Sequence, residues 1–352
     1  MSDVDQPAPI KRSAGSLARR REPLPWPRDR DFRILSIDGG GIKGIFPASV
    51  LAGIEARFLG GRSVAQFFDL IAGTSTGGII ALGLAAGLTA TEIRDLYLKH
   101  GESIFPTYGG GAFGRVMRWA RRKYQYVSYI YDRAPLERLL SEALGDRLIG
   151  DAKVRLNIPA FEGRHSEVYI YKTPHHPDFK LDAREKMITA ALATSAAPTF
   201  FRALPTSGYT MVDGGVWANN PTMIALVDAL SCFDVDRHRV NVLSLGCGEE
   251  PYVVTKSMMR GGFWQWKEVI GAAMHLQSLN ALGQTRLLIG AERVMRIDPQ
   301  AFEPPIAMDD FLRSAKFLPD AAQAAVDQHG PEINTRFFYD VAAQYLPHEG
   351  AA

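Results

Sequence analysis

The chain has 352 residues, 46% of them hydrophobic, which is enough for one large α/β domain or two ordinary ones and excludes disorder throughout. Its 40 basic and 38 acidic residues leave a formal charge of +2, so the total gives no pull toward DNA, RNA or an anionic membrane, and any electrostatic targeting is local. Two cysteines, Cys232 and Cys247, are too few for a disulfide framework and lack a zinc spacing; no apolar run nears the roughly 20 residues that span a bilayer, and no secretory core opens the chain, so a cytoplasmic protein is expected.

Residues 1–30 mix Pro7, Pro9, Pro23, Pro25 and Pro27 with Lys11, Arg12, Arg19, Arg20 and Arg21, and read as a flexible arm, an oligomer or membrane contact. The first strand is expected over Phe32–Ile37, stopping at the glycine cluster 39–41, with a crossover helix over 45–58. The pattern repeats with a strand over Phe67–Ala72, a turn at 73–77 and an Ala-rich helix to about Ala86. Further strands are expected at 153–161, 167–172, 209–212, 240–245 and 293–297, with helices near 89–100, 134–144, 184–194, 221–230 and 264–290. This alternation predicts a mainly parallel sheet covered by helices. The stretch 102–133, with Gly109–Gly111 and then arginines among Trp119, Tyr124 and Tyr126, is expected as an excursion over the mouth of a site. The division is an arm (1–30), a catalytic core (31–230), and a remainder (231–352) completing the α/β domain with a helical C-terminal portion, a candidate regulatory region.

Gly73-Thr74-Ser75-Thr76-Gly77 lies between an apolar strand and an apolar helix, as a GxSxG nucleophile elbow does. Gly73 and Gly77 let strand and helix approach, and Ser75 sits where helix N–H groups favour a developing oxyanion. The competing reading is a Ser/Thr helix cap. Asp38-Gly39-Gly40-Gly41-Ile42-Lys43-Gly44 contains GxGxxG directly after the first strand. As a dinucleotide loop it lacks the acidic residue that should end the second strand, and as a Walker loop it lacks Ser or Thr after Lys43. The same glycine amides can instead hold a carbonyl oxygen.

The proton acceptor is less plain. None of the eight histidines sits in a motif, and His175-His176-Pro177 reads as a solvent-facing turn. Asp213 ends an apolar strand just before Gly214-Gly215 and is a candidate base, although an Asx turn fits that position equally. A histidine at 238, 275, 329 or 348 would also respect the order Ser, Asp, His.

DGGGIKG, GTSTG and DGG in this order resemble the patatin-like phospholipase family over about residues 32–220, including Ser195-Ala196-Ala197-Pro198 before the aspartate strand. The resemblance implies a three-layer α/β/α hydrolase with a mainly parallel sheet. It implies Ser75 and Asp213 as a Ser–Asp dyad and Gly39, Gly40, Gly41 and Gly44 as the oxyanion loop. Gly73, Gly77, Gly214 and Gly215 support the motifs, and no metal or cofactor is needed. Lys43 stands where the family often has Arg. The implied reaction is phospholipid ester hydrolysis through an acyl-serine, without DNA or RNA as partner, by a protein peripheral to the inner membrane when active.

The architecture also resembles bacterial patatin-like effectors of anti-phage signalling, which are switched on by cyclic dinucleotides such as cGAMP. A candidate dinucleotide contact lies in 102–133 or around Gln277, Asn280, Gln284 and Arg286, where a plain amphipathic helix is the favoured alternative for that last group; a homo-oligomer is a further candidate. The basic and aromatic stretch 113–126 is a candidate membrane dock. The alternatives are a constitutive lipid acyl hydrolase or esterase, and a non-catalytic nucleotide-binding module.

Overall fold

A computed structural model describes residues 20–107, 129–248 and 269–348. The first part of the expected arm, most of the expected excursion with its glycine run, and the candidate dock at 113–126 lie outside the described residues.

Among the described residues, eight strands form one sheet: β1 (Phe32–Ile37), β2 (Leu70–Gly73), β3 (Arg155–Glu162), β4 (Glu167–Lys172), β5 (Leu204–Thr206), β6 (Tyr209–Asp213), β7 (Val240–Leu245) and β8 (Val294–Ile297). The pairings from β3 through β2, β1 and β7 to β8 are parallel, and those of β3 with β4 and β6, and of β5 with β6, are antiparallel. The expected mainly parallel sheet is thus observed, with an antiparallel margin. β1 is apolar on both faces because helices cover both. Phe32 and Ile34 enter one core with α7 (Thr222–Cys232) and α8 (Val269–Ile289). Leu35 and Ile37 enter the other, with α1 (Ile45–Phe58), α2 (Thr76–Ala85), α3 (Ala90–Ile104), α4 (Ala134–Leu144), α5 (Met187–Thr194) and α9 (Phe311–Phe337). A short helix, α6 (Gly215–Ala218), follows β6.

The antiparallel margin matters for the site. β3 pairs β2 through Arg155–Asn157, β6 through Ala160–Glu162, and β4 through Asn157–Glu162. A strand has only two edges. β4 shares Asn157 with β2 and Ala160–Glu162 with β6, so β2 and β6 lie end to end along the opposite edge of β3. β2 arrives parallel with Ala72 beside Asn157, and β6 arrives antiparallel with Asp213 beside Ala160. Their carboxyl ends therefore meet within three positions of β3, about 10 Å along the strand.

Local differences from expectation have local causes. β2 starts at Leu70 because Val64–Phe67 forms a 3₁₀ turn capped by Ser63, and Phe68 packs against Phe337 and Phe338. β5 was not foreseen: it is three residues with Pro205 at its centre, and proline is tolerated there because, among the described residues, nothing pairs β5 beyond β6. The N-terminal arm is anchored from Arg21 onward, where Arg21 reaches Ser231 and Asp178. Leu24 bonds to Cys232 O and Asp234 N, each at 2.8 Å, and Trp26 packs on Phe32 and Phe233 with ring centres 4.7 and 5.5 Å apart. No helix among the described residues is long and apolar enough to cross a membrane.

Candidate active site

Between β2 and α2 the chain turns sharply at Ser75, whose φ of 54° and ψ of −121° are rare for a residue with a side chain. Ser75 occupies the N-cap position of α2, yet its side chain makes no capping bond, which removes the helix-cap reading. The conformation is held from outside. Ser75 N–H donates to Thr194 Oγ1 at 3.0 Å, and that hydroxyl donates to Pro159 O at 2.5 Å. Thr74 Oγ1 donates to Ala218 O at 2.7 Å. A Cβ on Gly73 would overlap the Gly77 carbonyl, and one on Gly77 would overlap that of Ile37, so both glycines are required by backbone approach.

The glycine loop is braced from behind. Asp38 is fully buried and pairs with Arg296 Nη2 at 2.7 Å; Arg296 also reaches Asp298 at 2.6 Å and Ser244 Oγ at 2.8 Å. Burial opposes the Arg296 charge, but the two carboxylates outweigh it and raise its pKa further. Cys247 fills the space that a Cβ on Gly40 would need, and Lys43 Nζ donates to Gly248 O at 2.6 Å. Lys43 is therefore a strut of the loop.

Four loop amides already have acceptors: Asp38 N–H donates to Leu245 O at 3.0 Å, Gly39 N–H to Asn219 O at 3.1 Å, Ile42 N–H to Met308 O at 2.9 Å and Lys43 N–H to Gly40 O at 3.2 Å. Gly44 abuts Thr76, where a Cβ would overlap the hydroxyl. Of the four glycines expected in the oxyanion loop, Gly40 and Gly41 line the cleft beside Ser75, whereas Gly39 and Gly44 do not. Gly39 and Gly44 thus shape the loop. With the amides at 39 and 42 occupied, this loop has little left to cradle a pyrophosphate.

Asp213, at the end of β6, is 4% exposed. Burial pushes its pKa up to about 7, although the neighbouring Ser75 side chain and the Gly215 N–H favour the charged form. The Gly215 bond, at 2.6 Å to Asp213 Oδ1, is an Asx-type turn, so the turn and the contact with Ser75 coexist. Asp213 N–H donates to Ala196 O at 3.0 Å, which gives the Ser195–Pro198 segment its supporting place. A Cβ on Gly214 would overlap the Pro159 carbonyl. Gly73, Gly77, Gly214 and Gly215 therefore all lie at close backbone approaches or turns around the pair.

No histidine lines the cleft among the described residues. His175 and His176 are buried, at 4% exposure each, which corrects the solvent-facing turn expected there. His175 Nε2 bonds to Asp228 Oδ2 at 2.7 Å, its Nδ1 to Thr173 Oγ1 at 2.8 Å, and its ring packs on Phe179 and Phe233. Burial alone would raise the Asp228 pKa; Lys172 and His175 outweigh it and hold the carboxyl well below the usual range. With Cys232 this grouping has the spacing of a metal site, but the Lys172 ammonium is already paired with Asp228.

The cleft encloses about 580 Å³. Ser75, Thr76, Asp213 and Asn219 supply polar lining, and Ile42, Ile79, Ile104, Phe105, Leu136, Phe200 and Phe201 supply much of the apolar wall. Such a cleft suits an acyl chain with its ester at Ser75. Sequence reasoning missed Thr194, Tyr97, Arg296, Met274 and Met308. Tyr97 Oη bonds to Thr76 Oγ1 at 2.6 Å, while Met274 and Met308 line the cleft from the C-terminal portion. Gln277 holds the backbone of Asn220 through bonds of 3.0 and 3.3 Å, so it serves the fold; Asn280, Gln284 and Arg286 are exposed.

A family profile described as "Patatin-like phospholipase" matches residues 35–226. The "cGAMP-activated phospholipase" of Vibrio cholerae is 38% identical over 66% of this chain and 70% of its own length. The protein of the same name from Escherichia coli is 37% identical over 66% of each chain. "Patatin-like protein 2" of Oryza sativa subsp. indica is 32% identical over 66% of this chain and 65% of its own length.

Proposed function

Because the chain belongs to the patatin-like phospholipase family, we propose that it hydrolyses acyl esters of membrane phospholipids with Ser75 as nucleophile and Asp213 as base. The Ser75 side chain beside the buried Asp213 carboxyl, both lining one cleft with an apolar wall, carries the reading. Ser75 Oγ attacks the ester carbonyl while Asp213 takes its proton. The amides of Gly40 and Gly41 receive the oxyanion. As the tetrahedral centre collapses, the lysolipid leaves as an alcohol carrying the proton from Asp213. Water, deprotonated by the same carboxylate, then releases the fatty acid and restores Ser75. No step calls on a metal. Ser75→Ala and Asp213→Asn should each abolish fatty-acid release from phospholipid vesicles while preserving the fold; substantial activity in either variant removes the dyad.

The bacterial relatives named as cGAMP-activated support a second layer, in which a cyclic dinucleotide switches on an otherwise idle enzyme at the inner membrane. Fatty-acid release measured across a cyclic dinucleotide panel tests it. Full basal activity that no dinucleotide alters would leave a constitutive hydrolase.

A further inference from the structure

We propose that the outer face of α8 is a docking surface for an anionic lipid bilayer, with Leu276, Leu279 and Leu287 entering the interface; this rests on the reading of the cleft as a lipid acyl site. On the inward face of α8, Ala281, Leu282 and Ile289 are buried. On the outward face, Leu276, Leu279 and Leu287 are 59%, 53% and 88% exposed. With Gly283, whose Cβ position faces open space, they follow the i, i+3, i+7, i+11 spacing of one helical stripe. A helix on a solvated protein surface normally carries its polar residues there. α7, packed against α8, adds Val227 at 51% exposure.

Two features select a bilayer as the occupant. The first is charge: α8 has no carboxylate among its 21 residues and carries Arg286 and His275, and Glu292 comes only after the helix has ended. That is the balance of a helix lying on an anionic headgroup layer. The second is continuity with the cleft. Gly271 and Met274, in the first turns of α8, line the cavity that holds Ser75. A helix with its side chains is only about 10–12 Å across, so lipid held against the outer face lies one helix diameter from the cleft lining.

The test reads binding apart from hydrolysis. Wild type and a Leu279→Gln/Leu287→Gln double variant are sedimented with vesicles of diether phosphatidylglycerol and diether phosphatidylethanolamine, which contain no ester to cleave. Turnover is followed separately on a monomeric short-chain ester. The expected result is at least tenfold weaker vesicle binding by the variant, with ester turnover within twofold of wild type. An environment-sensitive dye on a Leu287→Cys variant, in which the native Cys232 and Cys247 remain buried, should brighten on vesicle addition. Unchanged vesicle binding by the double variant, or a dye that stays in water, overturns the proposal. So does a wild type that scatters light as a dimer while the variant is a monomer of equal vesicle affinity, because the face then joins two copies. Absence of ester turnover in the wild type both without and with every cyclic dinucleotide of the panel counts against the proposed function; absence of wild-type vesicle binding counts against the docking face.

Discussion

Replacing Asp213 by Asn should stabilise the protein, and do so more at high pH than at low. The Asp213 carboxyl has its pKa raised to about 7, against about 3.9 in an unfolded chain. A carboxyl raised by folding binds its proton more tightly in the native state. It therefore favours the fold most below the unfolded pKa and loses that contribution as pH rises through the native one. Taking about 1.4 kcal/mol per pH unit, the ionised group costs about 1.5 kcal/mol at pH 5 and about 4 kcal/mol at pH 8. Asn has no such charge, and its side-chain oxygen can still accept the Gly215 amide. Urea unfolding of wild type and Asp213→Asn at the two pH values should show the variant's advantage widening by about 2.5 kcal/mol between pH 5 and pH 8. Titration elsewhere cancels in the comparison. A difference that is flat with pH would refute the argument that desolvation sets this carboxyl. The same pKa requires kcat/KM to fall about tenfold per unit as pH drops below about 7.

Ser75→Gly should remove turnover yet raise stability by about 1 kcal/mol in thermal melts, because glycine adopts the positive φ without strain and no capping bond is lost. Thr194→Val leaves the Ser75 amide and the Pro159 carbonyl without the hydroxyl between them; it should cost about 1–3 kcal/mol in urea unfolding and lower kcat more than it changes KM. Arg296→Met removes the cation that pairs with the buried Asp38 carboxylate and should destabilise by about 3–5 kcal/mol, with Arg296→Lys recovering part of the loss because one hydrogen bond to Asp38 can be rebuilt.

Much of the architecture is legible because its signals are local. The helix over 134–144 starts with a proline in its first turn and ends at Gly145, and the strands 167–172 and 240–245 are short β-rich runs bounded by turns. The start of α5 at Met187 was less clear because Lys186 gives no side-chain cap. What brings the site together is mostly non-local. Thr194, Arg296, Met274 and Met308 gain their roles from residues far away in the chain, and no spacing marks them. The turn residues at His175 and His176 suggested exposure; Phe233, the Glu22 carbonyl and Asp228 bury them from distant segments. The glycine string likewise announces a close-approach loop, but only the three-dimensional lining of the cleft separates Gly40 and Gly41 from Gly39 and Gly44.

For the proposed dyad, the topology also offers a reason why a carboxylate can serve where histidine is usual. β2 and β6 end head to head on one edge of β3, so the residue closing β6 meets the elbow closing β2 at short reach, with Gly214 against Pro159 leaving little room for a bulkier turn. An ordinary aspartate is a poor base for a serine hydroxyl. The burial that comes with the end of β6 lifts its pKa to about 7, near the operating pH at which a general base works best. The free energy that ionised Asp213 withdraws from folding is the same free energy that makes it basic, so a variant that wets the carboxyl without moving it should gain stability at pH 8 and lose activity together.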